Sequence, residues 1–99
     1  MVDRDALIAQ LRTDGLHVTE WTDAPGTVYE AHAHRFREVR VVLAGEITFV
    51  TGSAEVVVGP GERIDFEPGQ RHAARVGALG ATYLAGTGRP GWSAATRPE

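Results

Sequence analysis

Residues 31–38 read AHAHRFRE, and three of them carry side chains able to hold a metal ion. His32 and His34 stand two apart. On a strand, alternate residues share a face with Cα atoms about 6.6 Å apart, so the two imidazoles can converge on one point. Arg35, Phe36 and Arg37 can turn the chain. Glu38 then opens an antiparallel neighbour, and its carboxylate can close a third position. His72 starts another apolar run after the turn sequence EPGQR and is a fourth candidate. Imidazoles with one carboxylate and no sulfur suit one divalent transition metal ion (iron, manganese, nickel, copper or zinc), with open positions for a ligand. Binding needs neutral imidazoles, so occupancy is expected to fall below about pH 6. A set of solvated turn residues would account equally well for the His-x-His pair alone. It accounts less well for Glu38 at turn spacing and His72 after a second turn.

The remaining composition narrows the chemistry. Ninety-nine residues, 42% apolar and 23% charged, suit a single soluble domain. Without cysteine there is neither a disulfide nor a thiolate ligand. All ten basic residues are arginine, which excludes lysine Schiff-base chemistry and leaves anion binding to arginine, histidine, metal or backbone. A net charge of −3 argues against nucleic acid as a partner. No apolar run approaches the roughly 18 residues of a membrane span. The start MVDRDALIAQ lacks the basic and apolar regions of a secretory signal, so the expected location is cytoplasmic.

The elements that must position these residues are mostly strands. Residues 3–14 predict a short helix, with Asp3 as its cap, Leu7, Ile8 and Leu11 on one side and Gly15 at its end. Short runs rich in valine, isoleucine, threonine and aromatics follow near 16–22, 27–34, 38–43, 46–51, 54–58, 63–67, 72–76 and 80–86, separated by glycine or proline. This pattern predicts an all-β antiparallel sandwich or small barrel. The expected organisation is an N-terminal helix (1–15), a barrel (16–86) and a tail (87–99).

With these spacings the sequence resembles the cupins. The first cupin motif runs Gly, five residues, His-x-His, three or four residues, Glu, six residues, Gly. Gly26, His32, His34, Glu38 and Gly45 match it. The second runs Gly, five residues, Pro-x-Gly, two residues, His. Gly61, Gly69 and His72 match, while Glu67 replaces the proline and Val76 stands where an asparagine is sometimes found. The resemblance covers roughly residues 16–86. It implies a double-stranded β-helix, or jelly-roll barrel, with His32, His34, Glu38 and His72 binding one metal ion inside. Family activities include dioxygenases, isomerases, epimerases, decarboxylases and lyases, and fold does not choose among them. The expected function is a small metal-dependent enzyme acting on a small organic molecule, dioxygenase first, isomerase or lyase second. A non-catalytic, metal-dependent binding module is the alternative.

If Glu38 faces inward, Arg40 and Val42 do too. Arg40 is then either a clamp for an anionic ligand or the partner of an internal carboxylate such as Glu30. Tyr83 either offers its hydroxyl to a ligand or packs. Asp65 and Glu67 should face solvent, Arg35, Arg37, Arg71 and Arg75 the rim or surface, and His17 the surface. Trp21 and Phe49 should pack. Alternation also places Val39, Val41 and Leu43 on the outside, where the short helix covers only part of them. A homodimer sharing that face is therefore expected.

Overall fold

The computed structural model describes residues 2–88. Helix α1 (Arg4–Thr13) is followed by β1 (Leu16–Asp23), β2 (Val28–His32), β3 (Glu38–Thr51), β4 (Ala54–Val58), β5 (Arg63–Phe66) and β6 (His72–Gly88). No helix among the described residues is long and apolar enough to cross a membrane. The Asp3 carboxylate accepts the Ala6 N–H at 3.0 Å, capping one of the free donors at the helix start. Asp5 in the first turn and Arg12 in the last complement the helix dipole.

All pairing is antiparallel and centres on the two longest strands. β6 lies between β1 and β3, β3 between β6 and β4, while β2 also pairs with β6 and β5 with β3. The sequence suggested eight strands; among the described residues there are six, because 38–43 joins 46–51 and 72–76 joins 80–86. The misleading signal is a change of face. Val42 is inside the barrel with Ile47 and Phe49, and Ala74 and Val76 are inside with Ala81 and Tyr83. Inward residues therefore switch from even to odd along each strand. The β3–β6 register shifts between Val42 and Ala44 and again between Gly45 and Ile47, as a bulge requires. Gly45 and Gly80, at φ 76° and 77°, sit at these irregularities. A Cβ on Gly45 would lie 2.0 Å from the Gly80 carbonyl oxygen, so the two strands can cross here only without a side chain.

β6 also runs to Gly88, with Thr87 opposite both His17 and Glu38, two residues beyond the expected strand end. The remainder of the expected tail, 89–99, lies outside the described residues.

Two apolar clusters result. One fills the barrel; the other lies outside it, where Leu11 and Leu16 close over Val39, Val41 and Leu84, with Leu7, Ile8, Val18 and Leu43 packed around them. Val39 and Val41 are 0% and 1% exposed within one chain. The helix and β1 therefore cover the face that was expected to need a second subunit, and it supplies no reason for a dimer. Leu11→Ala should cost about 2–5 kcal/mol in a urea melt, as buried leucine truncations do. A cost under about 1 kcal/mol would show that the helix is not part of the cooperative fold.

Candidate metal centre

Three strand ends build the site. His32 closes β2 and His72 opens β6, directly opposite each other in the ladder. Glu38 opens β3, buried at 2% exposure. A backbone bond from Gly69 N–H to the His34 carbonyl, 2.7 Å, ties the two ligand-bearing turns together. One donor atom each from His32, Glu38 and His72 lies within 4.8 Å of the other two. His34, the fourth expected ligand, is placed differently: its Nε2 is 2.7 Å from the other carboxylate oxygen, Glu38 Oε2.

The histidines are oriented from behind. His32 Nδ1 is 2.8 Å from the Glu30 carbonyl and His72 Nδ1 is 3.0 Å from the Gln70 carbonyl. A carbonyl only accepts, so both rings donate from Nδ1, and each neutral ring presents an unprotonated Nε2 to the centre. Phe66 stacks on His72 at 3.9 Å and fixes its plane. Burial, more than the nearby His32 and Arg40, holds the His72 pKa below its usual value against the opposing bond to Gln70. Burial does the same for His34, aided by His32, His72 and Arg40. Neutral imidazoles, the form a metal needs, are thereby favoured.

One atom tests whether these residues fit a cation. Glu38 Oε1 is buried without a hydrogen-bond partner among the described residues, and His72 Nε2 stands 3.2 Å away. A carboxylate oxygen and an unprotonated imidazole nitrogen repel at that distance, and the Arg40 guanidinium, 3.5 Å from Oε1, offsets the buried charge without hydrogen-bonding it. A divalent metal between them satisfies both. The nitrogen and oxygen donors fit such an ion without choosing among iron, manganese, nickel, copper and zinc.

A cavity of about 140 Å³ opens beside this centre. His32, His72, Arg40, Tyr29 and Tyr83 give it a polar side; Ile47, Phe49 and Ala74 give it an apolar one. Arg40 does face inward, but its nearest carboxylate is Glu38, 3.5 Å away, and not Glu30, which is exposed. Tyr83 is buried with its hydroxyl engaged: Tyr83 and Tyr29 both donate to Asp23 Oδ2, at 2.8 and 2.6 Å. Asp23 was hidden in the turn signal DAPG, and only the pairing of β1 with β6 brings it to the tyrosines.

Other expectations divide. Phe49 is core, whereas Trp21 is 55% exposed and its indole N–H donates to Thr19 Oγ1. Asp65 and Glu67 are exposed as expected, and Asp65 pairs with Arg37 and Arg63. His17, Arg35, Arg71 and Arg75 are exposed. Val76 is a core residue, 3% exposed, which accounts for an apolar side chain at that motif position.

Solved structures share this architecture. A protein of unknown function from Rhizobium leguminosarum is 25% identical, with a TM-score of 0.68 over 74% of this chain and 69% of that one. The DMSP lyase DddQ from Ruegeria pomeroyi is 27% identical, with a TM-score of 0.69 over 77% of this chain but only 39% of DddQ. KdgF from Halomonas sp. is 16% identical, with a TM-score of 0.69 over 76% of this chain and 70% of KdgF, a likeness of fold. No curated protein matches the sequence. The Cupin domain family matches residues 19–78, which hold β2 to β5 and every residue of the candidate metal centre, and the chain belongs to that family.

Proposed function

We propose that the protein is a metal-dependent enzyme acting on a small organic anion by proton transfer, in the manner of an isomerase or lyase. The observation that supports this most is the company the metal-ligand candidates keep: Arg40 and the tyrosine pair line the same cavity. The donor set in the proposal is His32, Glu38 and His72, with His34 completing it. When bound, the metal would supply a Lewis acid beside the cavity. Arg40 binds and orients the anionic end of the ligand. Burial lowers its pKa, yet a guanidinium stays charged at any physiological pH. Burial first, and then the neighbouring Tyr29 hydroxyl and the bond to Asp23, push the Tyr83 pKa up, so its phenol keeps its proton. An anion-binding guanidinium beside a Lewis-acid site suits proton transfer in a bound acid better than the oxygen chemistry put first from the sequence. The likeness to a protein described as a lyase supports the same class.

The test is to load the protein with zinc or manganese and incubate it with small carboxylic acids in deuterated water. Deuterium incorporation or elimination without oxygen uptake is expected by NMR. Oxygen uptake matched to substrate loss would replace this reading with an oxygenase. Ligand binding with no turnover for any metal would leave a binding module. Arg40→Met should weaken binding of an anionic ligand by about 1.5–3 kcal/mol, the value of a charged hydrogen bond, with metal uptake retained. Unchanged affinity in calorimetry would return Arg40 to a structural pairing with Glu38.

A further inference from the structure

Asp23 decides what the far side of the cavity can recognise. Each tyrosine has a single hydroxyl proton, and both protons are directed at the same oxygen, Asp23 Oδ2. Both side chains line the cavity, so what they can offer a ligand is phenol oxygen lone pairs, which accept hydrogen bonds and do not donate them. A ligand group meeting them must carry a proton of its own. A keto or ether oxygen placed there would face lone pairs. An ammonium would bring a second positive charge near Arg40, which the cavity also contains and which lies within electrostatic reach of both phenols. A hydroxyl meets neither objection.

Size narrows the class further. A cavity of about 150 Å³ in another protein holds one benzene, about six non-hydrogen atoms; this one is about 140 Å³. We infer that the ligand is a small hydroxycarboxylic acid of about six non-hydrogen atoms, its carboxylate on the Arg40 and metal side and its hydroxyl donating to Tyr29 or Tyr83. This inference rests on the anionic-ligand reading above and adds the hydroxyl and the size.

Calorimetry on the zinc-loaded protein tests it with four acids: 2-hydroxypropanoate, 3-hydroxypropanoate, propanoate and pyruvate. At least one hydroxy acid should bind about tenfold more tightly than propanoate and pyruvate, as one good hydrogen bond allows. Tyr83→Phe and Tyr29→Phe together test where that advantage arises. One of them should remove it while leaving propanoate affinity unchanged, which also shows that the variant is folded. Equal binding of hydroxy and unsubstituted acids overturns the inference but leaves the anionic-ligand reading standing. A hydroxyl advantage that survives both variants belongs to chelation by the metal and overturns it too. If no acid binds the zinc-loaded protein, the anionic-ligand reading falls and this inference with it.

Discussion

Alanine at His32 or His72 should lower metal affinity by at least about a thousandfold, because even residues that only orient metal ligands carry about 10–100-fold. His17→Ala, on the exposed face of β1, should leave affinity unchanged. The size of the effect follows from geometry. Each substitution removes one of the two Nε2 donors that face Glu38 and leaves an ion with one ligand fewer. Competition against a calibrated chelator measures the loss. The wild-type protein should melt lower after chelation, since a metal bound only by the folded chain stabilises it by about 4 kcal/mol at a thousandfold excess over Kd. The metal-free barrel should stay folded on its two apolar clusters. Full occupancy in a doubly substituted His32/His72 variant would end the metal assignment.

The second large effect is expected far from the metal, at Gly45. Gly45→Ala should destabilise the fold by about 3–5 kcal/mol, in the range that marks a specific structural fault. About 1–2 kcal/mol comes from a side chain in the left-handed region. The rest comes from forcing β3 away from the Gly80 carbonyl, which the new Cβ would overlap at 2.0 Å. Gly26 is the control. Its φ is 75° but nothing lies within 4 Å of an added Cβ, so Gly26→Ala should show the backbone cost alone. Equal losses at the two glycines in denaturant melts would remove the crossing from the account.

That contrast shows where the sequence is legible. The candidate ligands His32, Glu38 and His72 could be picked out because each stands at a strand end beside a recognisable turn, whereas β2 ends at His32, so strand alternation does not carry His34 to the same point. The barrel could be read from the even run of short apolar segments. The joining of those segments could not, since a bulge reverses the inward face and imitates the end of a strand. Asp23 escaped for a different reason. Its partners lie six and sixty residues away, and nothing in DAPG announces a carboxylate shared by two phenols. The cover over Val39 and Val41 was underestimated because β1 contributes Leu16 and Val18 alongside the helix.

The register of β3 on β6 also sets the order in which this protein can come into being. Glu38 is opposite Thr87 and Val50 opposite Ala73, so the central ladder joins residues roughly 20 to 50 apart and nucleates without local help. Such a topology closes its loops before it gains contacts, and chains of this kind fold in milliseconds to seconds. His32 and His72 face each other only once β2 has joined β6. On the metal-site reading, an ion binds the pair only once that pairing has formed, and it would then stabilise the finished barrel and slow its opening. A newly made chain would meet its aggregation-prone stage before the two histidines are in place for an ion.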